Sequence, residues 1–533
     1  MELECILRFF ENKTILIIGA TGFLAKVFME KILRVQPNVK RIYLLLRASD
    51  NEFATQRFCH EVIGLDLFNV LRKSLGANLE SYVFERVTPI SGDICDVNLG
   101  IKDSILREEM WNEIDIVLNS AATTNFDERY DVALGINTFG ALHVLSFAKK
   151  CIKLKVLLHV STAYVCGEKG GYILESPIYK GDRLKGTSRL DINVEKELVE
   201  EYLDRLRVQG ATNEEITSTM KDFGTKRAKL YGWPNTYVYT KALGEMLLGN
   251  YNKNLPLVII RPTMITSTYK EPFSGWIEGA RNLQDFNLSQ KIGIIPQIHS
   301  TSHGFSPTKP KTRARWVRKD SLRTVDGVIA AYGKGKLKCF LGHPKTIMDV
   351  IPADMVVNSM IMAMVAHANK SSQIIFHVGS SMRNPMKLSS LSDLSSLYFT
   401  QNPWIDRNGK SIKVSKMIVF SNIDMFQAYM AIRYKLPLKV LWLANLVLFQ
   451  YYREIYINLN RKVKVVMRLV DLYKPYVFFT GCFDDSNTEK LRVTIRENDV
   501  DMHLFNFDPK CIDWGDYIMN THIPGLIKYS MKR

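Results

Sequence analysis

The stretch KTILIIGATGFLAKVFMEKILRV, residues 13–35, constrains the fold of this chain more than any other. A short apolar run, then Gly19-x-x-Gly22-x-x-Ala25, then apolar residues at helical spacing, reads as strand, tight turn and helix. Glycine at 19 and 22 permits the turn and lets backbone N–H groups approach a pyrophosphate at the helix N-terminus, while Ala25 lets helix and strand pack closely. A glycine pattern alone is weak, but this strand-turn-helix setting makes it a dinucleotide-binding signature. At 533 residues the chain has room for that fold and an appended module.

Five further apolar segments follow in order. RIYLLLR ends in Arg47, where an acidic residue would suit a free ribose 2′-hydroxyl and a guanidinium suits a 2′-phosphate, so NADPH is expected over NADH. ISGDI puts Asp93 and Ile94 at a strand end, where they could edge the adenine. IDIVLNSAAT is a fourth strand running through Asn119 into small residues, Ser120 to Ala122, that let a cofactor pass closely. VLLHVSTAYVCG is a fifth, ending in the hydroxyls Ser161 and Thr162, and LVIIRPTMI a sixth, carrying Pro262 and Thr263. Strands alternating with helices imply an α/β fold, a Rossmann-like doubly wound parallel sheet with ligands beyond the carboxyl ends of the strands. The cofactor set expected along these segments is Gly19, Thr21, Gly22, Phe23, Leu24, Arg47, Asp93, Ile94, Asn119, Ala121, Pro262 and Thr263.

NTYVYTKALGE, 235–245, offers two tyrosines near one lysine. A helix turns about 100° per residue, so Lys241 shares a face with Tyr237, four residues back, and lies almost opposite Tyr239. A phenol beside an ammonium has a stabilised phenolate and can donate a proton near neutral pH. Tyr239 reads as a packing residue.

The sequence carries 71 Lys and Arg against 54 Asp and Glu, a net charge of +17 that suits an anionic partner. No aromatic-basic motif accompanies it, so nucleic acid is not expected. The eight cysteines form no C-x-x-C pair or zinc-spaced cluster, so a reducing compartment is expected and a metal site is not. The opening residues lack a basic region followed by an apolar run, so no signal or transit peptide is expected. LPLKVLWLANLVLF, 436–449, is too short to span a membrane and long enough for a buried or membrane-surface helix; its composition favours the core. INVEKELVEEYLDRLRVQ, 192–209, has helical period and is either a cover over the substrate site or a solvated surface helix.

Together, G-x-x-G-x-x-A, a hydroxyl after the fifth strand and Y-x-x-x-K resemble the extended short-chain dehydrogenase/reductase superfamily. More narrowly, GATGFLAK, HVSTAYVCGEKGG, WPNTYVYTKALGE, RPTMITSTYKEPFSGWIEG, DVIPADMVVN and FHVGSSMRNP resemble the plant alcohol-forming fatty acyl-CoA reductases, and FNFDPKCIDWGDYIMNTHIPGL is similar to the end of their male-sterility-type C-terminal domain. The resemblance implies a reductase domain over 1–390 and a mainly helical C-terminal domain over 391–533. It implies Tyr237 as proton donor, Lys241 as the group that lowers its pKa and holds the nicotinamide ribose, and Thr162 as the third member, with Ser161 the alternative. The implied reaction is four-electron reduction of a long-chain acyl-CoA to a primary alcohol by NADPH. The implied location is the cytosolic face of the endoplasmic reticulum, through peripheral membrane contact. Cys166 invites a reading as a thioester-forming nucleophile, but it has no paired histidine, and direct hydride attack requires none. Rival readings are an extended reductase acting on a sugar nucleotide, steroid or flavonoid ketone, and an NADPH-binding protein inactivated by an insertion at 281–320.

One segment departs from the family pattern. Residues 281–320 hold eight Lys or Arg against two Asp, lack either secondary-structure period and read as a disordered insertion. Retained intron sequence and a real surface loop both remain open.

Overall fold

The computed structural model describes residues 3–531 apart from 180, 183, 185–189, 253, 279–323, 407, 448 and 497–503. The insertion reading at 281–320 lies outside the described residues. Seven apolar segments form one parallel sheet: β1 (Thr14–Ile18), β2 (Arg41–Leu46), β3 (Val87–Ser91), β4 (Ile116–Asn119), β5 (Val156–Val160), β6 (Leu257–Pro262) and β7 (Gln373–Val378). Their spatial order is β7-β6-β5-β4-β1-β2-β3. The central strands are buried along their whole length. That is why they read as continuous apolar runs: helices cover both faces of the sheet. The order reverses at β1, which pairs with β2 on one side and β4 on the other, and Ile18 stands level with both Leu45 and Asn119. A crevice at the carboxyl ends of β1 and β4 is the site such a sheet offers a ligand.

Among the helices that bear on the site or its expected cover are α1 (Phe23–Val35), α2 (Ile192–Val208) and α3 (Thr236–Tyr251). The Asn235 side chain caps α3 by accepting from the Val238 amide. The helical run 130–148 is long and apolar enough to cross a membrane, yet it is a core helix packed on α3. A Cβ on Gly244 would lie 2.4 Å from the Asn137 carbonyl oxygen, and Asn137 Nδ2 and Thr138 Oγ1 donate to Thr240 Oγ1 and Thr240 O, at 3.0 and 2.8 Å.

The C-terminal part, mainly helical, is woven into the domain built on the parallel sheet. Gly481–Phe483 pairs with Gly171–Ile173, and Ile418–Phe420 with Cys339–Leu341. Glu175 accepts from the backbone amides of His377 and Asn487 at 2.7 and 2.6 Å, tying the edge strand β7 to both segments. The helix α4 (Leu436–Val447) corrects the expectation of a core helix. Leu436, Val440, Trp442, Leu443, Leu446 and Val447 are exposed, and its one buried residue is Asn445, whose Oδ1 accepts from the Tyr452 amide. Apolar composition identifies a face that avoids water but not what covers it. Arg453–Val477 follows as the long helix α5.

Candidate active site

The turn between β1 and α1 is built for close approach. Gly19 has φ +84°, and a Cβ there would sit 2.6 Å from the Ala121 backbone; a Cβ on Gly22 would lie 3.0 Å from the Gly19 carbonyl oxygen. Gly22 caps α1 without a side-chain hydrogen bond, and its first turn holds no acidic residue. The first amides of α1 are thus left for an anion. The cradle a Cβ would fill and the uncapped helix both fit a dinucleotide pyrophosphate.

Below the turn lies a cavity of about 370 Å³. Its lining includes Gly22, Phe23, Leu24, Ser161, Thr162, Tyr237, Lys241, Pro262 and Thr263 from the expected set, with Ser120 and Ala122 beside them. Gly19, Thr21, Asn119 and Ala121 are not part of this lining; Gly19 and Ala121 meet where turn and β4 cross. Arg47 is exposed at the end of β2, with Arg57 donating to its carbonyl oxygen at 2.6 Å. The Asp93 carboxylate accepts from the Cys95 amide, and Ile94 is buried with its carbonyl oxygen 3.0 Å from His143 Nδ1.

Tyr237 and Tyr239 separate as helical geometry requires. Tyr237 is half-buried and faces the cavity, its ring stacked on Phe126 at 5.8 Å, which stacks in turn on Tyr476 at 5.2 Å. Tyr239 is fully buried against Tyr130, Tyr231 and Trp233, and burial pushes its phenol well above the ordinary range. Lys241 is buried, and loss of solvent pushes its ammonium down to about 8, partly offset by Glu245.

The two hydroxyls after β5 differ. Thr162 Oγ1 accepts from the Tyr164 amide at 3.4 Å, which leaves its own proton to donate, whereas Ser161 Oγ is buried without a hydrogen-bond partner among the described residues. Cys166 lies outside the cavity, and burial pushes its thiol up to about 12, so it is no thiolate nucleophile at neutral pH.

Away from the hydroxyls the cavity is mostly apolar, with Asp326, Ser392 and Ser395 as polar exceptions. Ile329, Phe340, Met348, Leu388 and Met417 line it, with Tyr473, Tyr476 and Val477 entering from the end of α5. Sequence reasoning missed Phe126, Tyr476 and His159. His159 stood two residues before Ser161 in the strand motif; Tyr476 had no local signal at all. The expectation that 192–209 covers the substrate finds no support in the lining: no residue of α2 is part of it. That helix instead buries Glu195, which accepts from Tyr130 Oη at 2.6 Å and pairs with Arg227.

Residues 17–310 match an NAD-binding family described as "Male sterility protein", and residues 433–533 match a second family of the same description. The chain is 52% identical over 530 residues to an alcohol-forming fatty acyl-CoA reductase of Simmondsia chinensis, covering 99% of each. It is 53% identical over 536 residues to fatty acyl-CoA reductase 1 of Arabidopsis thaliana, covering 100% of both. Human fatty acyl-CoA reductase 2 is 27% identical, over 99% of this chain and 87% of the relative. Among solved structures, the reductase domain of a non-ribosomal peptide synthetase from Mycobacterium tuberculosis has the same fold: TM-score 0.55 at 15% identity, covering 99% of this chain and 95% of the other.

Proposed function

The chain belongs to the fatty acyl-CoA reductase family, and on that premise we propose that it reduces a long-chain fatty acyl-CoA to a primary alcohol, with release of coenzyme A, drawing four electrons from two NADPH through an aldehyde held at the site. The observation that carries the reading is one cavity joining the hydroxyls after β5, Tyr237 and Lys241 to a mostly apolar arm that suits an acyl chain.

Bound NADPH supplies the hydride for each reduction. Arg47, with Arg57 near it, favours the 2′-phosphate over a free hydroxyl. Gly19, Thr21, Gly22, Phe23 and Leu24 cradle the pyrophosphate, Asp93 and Ile94 edge the adenine, and Asn119, Ala121, Pro262 and Thr263 border the nicotinamide half. Tyr237 and Thr162 donate hydrogen bonds to the oxyanion that develops on the thioester carbonyl. The tetrahedral hemithioacetal then expels the coenzyme A thiol and leaves an aldehyde. The same donors serve the second reduction, because it too places negative charge on a carbonyl oxygen. Lys241, one turn beyond Tyr237, stabilises the phenolate.

The two regions divide the work. Residues 1–390 hold the cofactor and the donors, and 391–533 close the acyl arm and meet a membrane. For that contact α4 offers exposed Trp442, Leu443, Leu446 and Val447. Residues 431–465 around it carry seven Lys or Arg against one Glu, which suits the anionic cytosolic surface of the endoplasmic reticulum.

Purified protein with hexadecanoyl-CoA tests the reaction: two NADPH are consumed per acyl-CoA with little free aldehyde. A ratio near one with accumulating aldehyde refutes the four-electron reading. Tyr237→Phe abolishes reduction while NADPH binding persists.

A further inference from the structure

At the cavity wall, Lys241 is held from β5. Its Nζ donates to the Val160 carbonyl oxygen at 2.7 Å and lies 3.2 Å from His159 Nε2. Across the ring, His159 Nδ1 lies 3.0 Å from Asn119 Nδ2. The Asn119 amide has only one orientation that works. The Ala121 backbone N–H, which can only donate, reaches Asn119 Oδ1 at 3.2 Å, so the amide nitrogen faces the ring and donates to Nδ1.

A neutral imidazole carries one N–H. With Nδ1 accepting, that proton is on Nε2 and points at Lys241. His159 is neutral here, because burial and the neighbouring lysine both disfavour its protonated form. An ammonium has three donors and no lone pair, so it meets Nε2–H donor against donor, whereas an amine accepts from it. The protonation state of Lys241 is thereby coupled to the tautomer of His159. The ammonium is relieved only if the ring gives up its bond from Asn119.

We infer that Asn119 and His159 are a positioning pair that presents Nε2–H to Lys241 and keeps the lysine ready to release a proton to Tyr237 after each reduction. The inference rests on the assignment of Tyr237 and Lys241 above. In each cycle Tyr237 gives its proton to the substrate oxygen, the resulting phenolate takes one from the Lys241 ammonium, and water returns a proton to the amine. A reaction of two reductions needs this reset twice. The other groups bearing on Lys241 are Glu245 on its own helix, which favours the ammonium, and Arg261 on β6, which holds Glu245 at 2.6 Å with His377 of β7 behind it at 3.3 Å. The helical run on the far face of α3 presents Asn137 and Thr138, which carry no charge.

Competitive acetylation of the ligand-free protein with acetic anhydride, read at Lys241 by mass spectrometry across pH, measures the lysine directly. The expected wild-type midpoint is about 8. His159→Gln can turn an amide oxygen to Lys241 and raises that midpoint by about one unit. Asn119→Asp keeps the acceptor for Ala121, gives Nδ1 an acceptor and so turns the tautomer over; it raises the midpoint as well. The basic limb of the pH–rate profile for NADPH oxidation moves up in step. Circular dichroism identifies which variants fold. A wild-type midpoint near the ordinary 10.5 overturns the inference without any variant, as does a folded variant whose midpoint stays in place. Failure of the underlying reading looks different: wild-type protein titrates at Lys241 as expected but oxidises no NADPH with hexadecanoyl-CoA, or Tyr237→Phe remains active.

Discussion

Gly19→Ala separates two costs that usually arrive together. The first is conformational: Gly19 has φ +84°, and a residue with a Cβ in the left-handed region pays roughly 1–2 kcal/mol. The second is steric: the new Cβ would lie 2.6 Å from both Cα and N of Ala121 and 2.8 Å from the Ser120 carbonyl carbon. All three atoms are backbone, so no side chain can swing away, and the crossing must widen at a further cost of about 1–3 kcal/mol. Gly210→Ala isolates the first cost, because Gly210 has φ +70° with none of the described residues within 4 Å of its added Cβ. Both variants lose thermal stability. Only Gly19→Ala displaces the loop beside the uncapped start of α1, so it alone weakens NADPH binding, by roughly 5- to 150-fold if the whole steric cost falls on the bound state. Fluorescence titration of NADPH, with thermal denaturation alongside, reads both. Equal NADPH affinity in the two variants would refute the argument that the glycine serves the β1–β4 crossing.

Three other outcomes are expected. Thr162→Val lowers the reduction rate by about 10²–10³-fold, as loss of one oxyanion donor does, and Ser161→Ala by much less; steady-state rates in which Ser161→Ala is the more damaging variant reassign the third member to Ser161. Replacing Leu443, Leu446 and Val447 with glutamate leaves reduction of soluble acyl-CoA intact but abolishes co-sedimentation with anionic vesicles, and sedimentation equal to wild type removes α4 as the contact. Burial raises Glu175 from 4.5 to about 7, against the opposing amides of Asn487 and His377. Between those values the folded protein holds a proton that the unfolded chain has released, so the contribution is present at low pH and stability falls as pH rises through that window. Denaturation across this range should fall more steeply for wild type than for Glu175→Gln; parallel curves would show that Glu175 does not titrate there.

What could be read from the chain alone was what depends on neighbours along it. The turn at Gly19 and Gly22, the run of strands that became β1 to β6, and the choice of Tyr237 over Tyr239 all follow from local periodicity and backbone freedom, and α2 appears at Ile192–Val208 against an expected 192–209. What a face meets is a different matter. The apolar run of α4 reads alike for a core and for a surface, and only packing turned Asn445 inward and Leu443 outward. Phe126 and Tyr476 stack into the wall behind Tyr237 from positions 350 residues apart, a separation no local pattern can carry. The proton of His159 is the finest instance. It is placed by an asparagine on the next strand, a backbone amide two residues further on and a lysine on a helix, so only the folded sheet, which brings β4, β5 and α3 within hydrogen-bond distance, decides on which nitrogen it rests.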